Sequence, residues 1–385
     1  MKPLNSVITA CPPSGIRRFF DIAAQREDVI SLGVGEPDFV TPWRVREAGI
    51  YALEHGATTY TSNAGLPRLR ELICAELSTR YRVNYAPDGE CVITAGVSEG
   101  LDLALRVLLE PGEEVIVPEP CYVAYRPCVS FAGGVPVAVA TDAEDGFRVR
   151  VEAIEAAVTE RTKAVLIGSP ANPTGAVQTR EDLAALAALA ERHDLYLVAD
   201  EIYDRLTYTG AHTCLASLPG ARERTVLLGG FSKAHAMTGW RVGYLCAPRP
   251  VAELCLRMHQ YTMLCAPHVS QLAAVEALAA GGGDVAQMIA DYDRRRRVFV
   301  KGLREIGLDC PEPGGAFYAF PSIRSSGLGS EAFAERLLRA EGVAVVPGHV
   351  FGASGEGHIR CSYATALPLL EEALERMARF LRDSS

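Results

Sequence analysis

Short apolar runs separated by helical stretches dominate the middle of the chain. Runs rich in Val, Ile and Leu and bounded by Gly or Pro are typical of buried parallel strands. They cover residues 91–94, 114–117, 135–139, 164–167, 195–199 and 225–228. Helical patterns lie between several of them, for example at 99–109 and 179–193. This alternation predicts a doubly wound α/β domain whose mostly parallel sheet is covered by helices.

The last hundred residues have a different pattern. A long helical stretch at 285–306 is followed by Gly- and Pro-rich segments, short strand patterns at 316–320 and 343–346, and a final helical stretch at 367–381. We predict a large α/β domain at 46–284 and a smaller α+β domain at 285–385, to which an N-terminal segment, 1–45, contributes. The run Arg294–Arg297 lies inside the long helix and is interpreted as a solvent-exposed face.

Composition excludes several classes of protein. With 385 residues, 49% hydrophobic and 22% charged, the chain resembles an ordinary globular protein of two or three domains. The balance of 38 basic and 47 acidic residues gives a net charge of −9, which argues against a nucleic-acid partner. No signal peptide and no membrane-spanning run is recognisable, so we expect no membrane partner.

Cysteine and histidine usage points to a reducing compartment without metal. An odd number of cysteines, 11, does not suit a disulfide framework, so we expect a cytoplasmic protein. No CxxC motif and no closely spaced His pair occurs, so we expect no metal site. Only four lysines occur: Lys2, Lys163, Lys233 and Lys301. Any function that needs an amine able to lose its proton therefore has few candidates.

Polar groups follow four of the predicted strands. The turn Gly96-Val97-Ser98 follows the first, Asn172 comes after the fourth, Asp200 with Tyr203 after the fifth, and Ser232-Lys233 after the sixth. In open α/β sheets, ligands bind outside the carboxyl ends of the strands. We therefore expect these groups to meet at one edge of the sheet.

Each of these features taken singly has a plain structural alternative. The Gly96–Ser98 turn is either an anion site at a helix start or an ordinary strand–helix turn capped by Ser98. Asn172 suits a tight turn, Asp200 suits an N-cap, and Lys233 suits the surface. The four alternatives together require four independent coincidences at the ends of four strands.

Pyridoxal phosphate matches this set of groups better than a nucleotide does. No GxGxxG and no GxxxxGK[ST] motif is present. Pyridoxal phosphate offers a phosphate for the turn, an aldehyde for the lysine, a phenolic oxygen for Asn and Tyr, and a pyridine nitrogen for the carboxylate.

The chain resembles a known family over nearly its whole length. It is similar to the class I (aspartate-type) aminotransferases of the fold-type I pyridoxal-phosphate enzymes. The matching motifs occur in order: Gly33-Val34-Gly35-Glu36-Pro37-Asp38-Phe39, Tyr60 with Asn63-Ala64-Gly65-Leu66, Asn172-Pro173-Thr174-Gly175, Asp200-Glu201-Ile202-Tyr203, Ser232-Lys233 through Gly239-Trp240-Arg241-Val242-Gly243, Pro313-Gly314-Gly315-Ala316-Phe317 and Arg360-Cys361-Ser362-Tyr363-Ala364. The resemblance implies a large domain with a mostly parallel seven-stranded sheet and a smaller α+β domain.

The resemblance also implies roles around the cofactor ring. Lys233 is similar to the Schiff-base lysine that moves the substrate's Cα proton. Asp200 resembles the partner of the pyridine nitrogen. Asn172 and Tyr203 resemble the donors to the phenolic oxygen. Tyr122 matches an aromatic residue that stacks on the ring, although a core aromatic is the alternative.

Other implied roles concern the phosphate and the substrate. Arg241, the Gly96-Val97-Ser98 turn and, with lower weight, Ser232 resemble phosphate ligands; many relatives carry Ser or Thr at position 230, where this chain has Gly. Tyr60 resembles a tyrosine that reaches the phosphate of the neighbouring subunit, which implies a homodimer. Arg360, with the Gly35 backbone and Asn172, resembles the clamp for the substrate α-carboxylate.

The implied activity is a ping-pong transfer of an amino group from an L-amino acid to a 2-oxo acid such as 2-oxoglutarate. A β-lyase or synthase at the same site is the alternative, and a non-catalytic relative or a nicotinamide dehydrogenase fits less well. The donor stays open between aromatic, aspartate-like and broad. The segment 33–39 and the small domain are expected to close over the substrate, with Ile16 as part of an apolar lid.

Overall fold

The computed structural model describes residues 2–13, 15 and 28–383, so Ile16 lies outside the described part. The first half contains α1 (Ser6–Ala10), β1 (Ile30–Ser31), α2 (Trp43–Glu54), α3 (Pro67–Tyr81), β2 (Cys91–Thr94), α4 (Val97–Leu108), β3 (Glu114–Glu119), α5 (Tyr125–Phe131), β4 (Val135–Ala140), α6 (Val151–Ala156), β5 (Thr162–Gly168) and α7 (Arg180–Arg192). The second half contains β6 (Tyr196–Asp200), β7 (Thr225–Gly230), β8 (Gly243–Cys246), α8 (Arg249–Thr262), α9 (His268–Ala280), α10 (Gly282–Glu305), β9 (Tyr318–Ala319), α11 (Ser330–Glu341), β10 (Val343–Ala344), β11 (Val346–Pro347), β12 (Ile359–Ser362) and α12 (Leu367–Asp383).

Seven strands form the central sheet, in the order β2-β8-β7-β6-β5-β3-β4. Strand β8 is antiparallel to both of its neighbours, and the other neighbouring pairs are parallel. Six of the seven strands coincide with the predicted apolar runs, which confirms the predicted α/β class. Strand β8 was not among the predicted runs.

The continuous apolar character of the strands follows from burial on both faces. Successive side chains of a strand point to opposite faces, so alternate residues of β5 enter two different cores. Val165 and Ile167 pack in one apolar cluster, and Ala164 and Leu166 pack in the other. A strand enclosed between two helical layers has no solvent face, which explains the absence of polar alternation.

The start of α7 shows how local sequence sets an element boundary. The Thr179 hydroxyl accepts a hydrogen bond from the Asp182 amide at 3.1 Å, and the Asp182 carboxylate accepts one from the Thr179 amide at 3.2 Å. This reciprocal pair satisfies two amides that the first helical turn leaves free. The predicted stretch 179–193 therefore contains the helix and its two caps.

The C-terminal part carries two small sheets. Strand β1 pairs in parallel with β10, and β11, β12 and β9 form an antiparallel sheet. The expected single strand at 343–346 is wrong in detail, since its two halves join different sheets. The β1–β10 pair connects the N-terminal segment with the C-terminal part, and this supports the predicted domain division, whose boundaries stay a prediction.

The interpretation of Arg294–Arg297 as an exposed face is wrong for its two central residues. Arg294 and Arg297 are exposed, whereas Arg295 and Arg296 are only 6% and 4% exposed. Arg295 donates to Asp38 at 2.8 Å, and Arg296 pairs with Asp293 at 2.7 Å. Four consecutive residues of a helix cover every side of it, so such a run cannot occupy one face.

Three further features concern the whole described chain. None of its described helices combines the length and the apolar character needed to cross a membrane. All eleven cysteines are free. No group of His, Cys, Asp and Glu side chains suited to a metal ion occurs within residues 2–13, 15 and 28–383.

Candidate active site

A cavity of about 820 Å³ lies at the carboxyl ends of the central strands. The predicted groups meet there, as the common edge of parallel strands requires. The predicted site residues that line it are Gly35, Val97, Ser98, Tyr122, Asn172, Asp200, Tyr203, Ser232, Lys233, Arg241 and Arg360. Gly96 adjoins them as the residue before α4. Tyr60 does not line the cavity of its own chain.

The Lys233 side chain reaches into this cavity rather than into solvent. Its Nζ donates a hydrogen bond to the Gly35 carbonyl at 2.6 Å. Burial, assisted by the positive charge of Arg360, lowers the pKa of Lys233 from 10.5 to about 8. The surface alternative for this lysine is therefore wrong, and the amine can lose its proton near neutral pH.

Asp200 ends β6 as a buried carboxylate. Its Oδ2 accepts a hydrogen bond from the Tyr125 hydroxyl at 2.8 Å, and its Oδ1 accepts one from the Ile202 amide at 3.2 Å. Burial raises the pKa of Asp200, and the Tyr125 hydrogen bond opposes that rise. Tyr125 was not among the predicted site residues.

A pair of tyrosines connects the large sheet with the C-terminal part. The hydroxyls of Tyr203 and Tyr318 lie 2.8 Å apart, and Arg360 lies over the Tyr318 ring at 4.5 Å from its centre. Tyr318 was not among the predicted site residues. The only signal for it in the sequence is that it directly follows the Gly314–Phe317 motif.

Arg360 is held from two sides in β12. Its Nη1 donates to Asn172 Oδ1 at 2.9 Å, and its Nη2 donates to the Gly33 carbonyl at 2.6 Å. Nε has no partner within the protein. Gly35 lies beside it, and a Cβ at Gly35 would be 2.7 Å from the Tyr318 hydroxyl. The guanidinium therefore keeps Nε as a free donor, and the Gly35 backbone lies close to it. This arrangement suits a carboxylate.

The opposite end of the cavity is suited to a phosphate. Helix α4 begins at Val97, and no side chain caps it, so the cap alternative for Ser98 is wrong. The first amides of a helix lack intrahelical acceptors, and the helix dipole favours an anion there. Arg241 adds a cation, with Nη2 donating to the Ala95 carbonyl at 3.3 Å. Gly96 adopts a positive φ of 88°, a conformation that glycine adopts without strain.

Close packing explains the glycine at position 230. A Cβ there would lie 3.2 Å from Gly243 Cα and 3.3 Å from a Val97 methyl group. A Ser or Thr side chain there would need these neighbours to shift by a few tenths of an ångström. Ser232, which lines the cavity beside Lys233, is the remaining hydroxyl in this segment.

The two tyrosines predicted to contact cofactor lie in different settings. Tyr122 lines the cavity, and its ring meets the Tyr125 ring edge-on at 5.6 Å. Tyr60 is 79% exposed on the loop between α2 and α3. Tyr60 therefore lies outside the cavity lining of its own chain, and its role stays a prediction.

These residues fit pyridoxal phosphate. Arg241 and the start of α4 form a cationic end, Lys233 and Asp200 flank the middle of the cavity, and Tyr122 forms an aromatic wall. The unpartnered Nε of the buried Arg360 fits a second anion at the other end. The donor set therefore matches a phosphate, an aldehyde, a ring nitrogen and a substrate carboxylate.

Comparison with known proteins agrees with this chemistry. The family described as "Aminotransferase class I and II" matches residues 27–377. The chain belongs to this family. It is 57% identical to the "Putative aminotransferase YugH" of Bacillus subtilis (strain 168), over 99% of both chains. It is 45% identical to the aspartate aminotransferase of Pyrococcus abyssi (strain GE5 / Orsay), over 96% of both.

Solved structures of aminotransferases share the fold. The aspartate aminotransferase from Thermus thermophilus with maleate superposes with a TM-score of 0.94 at 41% identity, covering 98% of this chain and 100% of that one. The aromatic aminotransferase from Pyrococcus horikoshii OT3 superposes with a TM-score of 0.91 at 44% identity, covering 95% and 99%.

The protein is therefore a pyridoxal-phosphate-dependent aminotransferase of fold type I. The predictions of family, fold class, cofactor and enzyme class are confirmed. The lyase alternative is not favoured by these relatives.

Proposed function

We propose that this aminotransferase transfers the amino group of an L-amino acid with an aromatic or aspartate-like side chain to a 2-oxo acid such as 2-oxoglutarate. One observation carries the proposal: Lys233, Asp200, Arg241 and Arg360 line a single cavity, and the positive charges of both arginines act on the amine. A substrate carboxylate on Arg360 is thereby separated from a phosphate on Arg241, which orients the amino acid.

Bound pyridoxal phosphate supplies an electron sink for the negative charge that develops at the substrate Cα. Lys233 Nζ would take the Cα proton and later release it, as an amine with a pKa of about 8 is able to do. Asp200 holds a proton on the ring nitrogen by its negative charge. Arg360 fixes the substrate carboxylate and so the direction of the Cα–H bond.

The remaining site residues hold the cofactor in place. Arg241, the Val97 and Ser98 amides and the Ser98 hydroxyl bind the phosphate, and Ser232 assists them. Asn172 accepts from Arg360 through Oδ1, which leaves its amide nitrogen free to donate to the phenolic oxygen together with Tyr203. Tyr122 stacks on the ring face.

The cavity wall favours an aromatic donor over aspartate. Among the described residues, its cations are Lys233, Arg241 and Arg360, and each already has a role. Leu101 adds apolar surface. Within the described lining, a side-chain carboxylate therefore finds no cation without a role already proposed, whereas an aromatic ring finds apolar surface.

The assembly proposed is a cytoplasmic homodimer in which Tyr60 reaches the phosphate of the neighbouring subunit. Large apolar side chains are exposed on α2 and on the end of α8, for example Trp43 at 57% and Tyr261 at 88%. Asn63 Nδ2 donates to the Leu264 carbonyl at 2.7 Å, which ties the Tyr60 loop to the second of these regions. An apolar face of this kind is typical of a subunit interface, and the free cysteines support a reducing compartment.

The domain division proposed is a large domain at 46–284 and a small one at 285–385 that includes 1–45. The cavity lies between them, because Arg360 and Tyr318 come from the C-terminal part and Lys233 from the large sheet. Because residues of both domains line the cavity, we propose that the two domains close over the substrate.

The visible absorption of the purified protein tests the proposal. Loaded with pyridoxal phosphate, the protein should show a visible band that an amino donor removes and 2-oxoglutarate restores. Lys233→Ala should lose the band, whereas Lys163→Ala, whose lysine pairs with Glu113 at the surface, should keep it. An unchanged band in Lys233→Ala contradicts the assignment of the lysine.

A panel of donors tests the substrate class. L-Phenylalanine or L-tyrosine should give a higher kcat/KM than L-aspartate with the same acceptor. The reverse order would show that a cation outside the described residues, or on the second subunit, meets the side-chain carboxylate. Ammonia and pyruvate formed from a cysteine-like substrate, with the visible band retained, would indicate lyase activity instead.

A further inference from the structure

The Asp200 carboxylate is fixed through both of its oxygens. Oδ2 accepts from the Tyr125 hydroxyl at 2.8 Å and Oδ1 from the Ile202 amide at 3.2 Å. The two side chains are 7% and 5% exposed, so water does not compete with the Tyr125 hydrogen bond. Hydrogen bonds to a buried charged group are among the strongest in proteins.

The end of β5 is shaped to admit the Tyr125 hydroxyl. Gly168, its last residue, is the register partner of Asp200 on β6. A Cβ at Gly168 would lie 2.6 Å from the Tyr125 oxygen, closer than real Cβ atoms approach other atoms. Only a residue without a side chain therefore leaves the hydroxyl where it reaches the carboxylate.

The Tyr125 ring is also held from the cavity side. It opens helix α5 and meets the ring of Tyr122 edge-on, with an angle of 83° between the planes. Tyr122 lines the cavity where the cofactor ring would stack. Tyr125 is thereby enclosed between the cavity wall and the sheet, and its hydroxyl has a single direction available.

We propose that Tyr125 is a positioning residue that holds the Asp200 carboxylate in place and charged, so that Asp200 keeps the ring nitrogen of bound pyridoxal phosphate protonated. The inference rests on the proposed function. It adds a residue that lines the cavity and lies outside the motifs that carry the family resemblance. Gly168 has a supporting part, because it makes the space that the hydroxyl occupies.

The groups around Asp200 determine how its pKa changes when the Tyr125 hydroxyl is removed. Burial raises the pKa of Asp200, the Tyr125 and Ile202 hydrogen bonds and the positive charge of Lys233 lower it, and Glu201 raises it. Removing the Tyr125 hydroxyl therefore raises the pKa of Asp200 further. The carboxyl then stays neutral over a wider range at acid pH and no longer supports a protonated ring nitrogen.

Tyr125→Phe in the cofactor-loaded enzyme tests this directly. We expect kcat to fall about tenfold, the order that the loss of one hydrogen bond to a charged group produces. The acid limb of its pH profile should move to higher pH, and the pH titration of the visible band should shift with it. KM for the amino donor should change little, since Arg360 is untouched.

The matched control is Tyr85→Phe. Tyr85 is likewise 5% exposed, and its hydroxyl has no partner within the protein. It lies outside the cavity lining, so this variant should keep the wild-type pH profile and visible titration. A shift of equal size in both variants would show a general packing effect and overturn the proposal.

Two further tests extend this one, and the first of them keeps the proposal falsifiable if Tyr125→Phe does not fold. Gly168→Ala should displace the hydroxyl without removing it and shift the titration in the same direction. In an Asp200→Asn background, Tyr125→Phe should cause almost no additional loss, because it acts through the carboxylate. A full additional loss there, or a wild-type titration in Gly168→Ala, overturns the proposal.

Different results would contradict the proposed function and the role of Tyr125. A wild-type protein that shows no visible band after loading contradicts the cofactor site as a whole. A wild-type protein with a normal band, beside a Tyr125→Phe variant that behaves like Tyr85→Phe, contradicts only the role of Tyr125.

Discussion

The amine of Lys233 and the guanidinium of Arg360 are two cations in one enclosed site. Burial first, and the charge of Arg360 second, lowers the pKa of Lys233 to about 8. This coupling means that the clamp proposed for the substrate also prepares the amine for proton transfer. Both effects act on a single side chain, so single substitutions test them.

The first prediction concerns the pH dependence of cofactor loading. Only the neutral amine attacks an aldehyde, so the loading rate of cofactor-free protein should rise with pH and level off above a midpoint of about 8. Arg360→Gln removes a positive charge, so its midpoint should lie higher. The exposed Arg297→Gln is the control and should keep the wild-type midpoint. A wild-type midpoint near 10.5, the ordinary value for lysine, would show a solvated amine.

The second prediction concerns Arg360→Lys. An ammonium group cannot contact Asn172, the Gly33 carbonyl and a bidentate carboxylate at once. KM for all amino donors should rise about a hundredfold, which corresponds to about 3 kcal/mol of lost binding. The visible band should stay, because the cofactor is held elsewhere. Loss of the band together with binding would place Arg360 in the cofactor site instead.

At the scale of elements, the phosphate site depends on how β8 packs against the start of α4. A Cβ at Gly243 would lie 2.9 Å from Gly96 C and from Val97 N. Gly243→Ala therefore has to move the turn itself, and we expect at least about tenfold weaker binding of pyridoxal phosphate. Equilibrium dialysis measures this affinity. Gly283→Ala, where a Cβ meets nothing within 4 Å, is the control and should bind normally.

Another prediction at this scale separates stability from activity. Thr179→Ala removes one half of the reciprocal cap of α7 and should lower the free energy of unfolding by about 1 kcal/mol. Thr179→Ser keeps the hydroxyl and should recover most of that loss in a denaturant titration. Both variants should keep the wild-type kcat, since α7 does not line the cavity. A changed kcat would indicate a connection between this helix and the site that the contacts do not show.

At the scale of the whole molecule, the proposed homodimer shares each site between two subunits through the exposed Tyr60. Mixed dimers of Lys233→Ala and Tyr60→Ala protomers should regain activity, because one site then combines an intact lysine with an intact tyrosine of the other subunit. We expect recovery to about half of the wild-type activity, since one of two sites is complete. Each variant alone should stay impaired. No recovery in a mixture shown to exchange subunits would contradict the shared site.

Local patterns determined much of this architecture in advance. The strand pattern at 164–167 was recognisable because a strand buried on both faces has to be apolar throughout. Lys233 stood out because lysine is rare in this chain and this one follows a strand. Such signals depend on neighbours in sequence, and the physical rules for them act within a few residues.

Only the tertiary structure decided which distant groups meet. Tyr125 and Asp200 are 75 residues apart, and Tyr203 and Tyr318 are 115 apart, so no local pattern indicates either pair. The burial of Arg295 and Arg296 likewise depends on partners from other segments, Asp38 and Glu312. The sequence by itself thus determined six of the seven central strands, the α/β class and the candidate chemistry, because these follow from local periodicity and composition. The fold decided the partners that orient and charge those groups, because such contacts exist only once separate segments pack together.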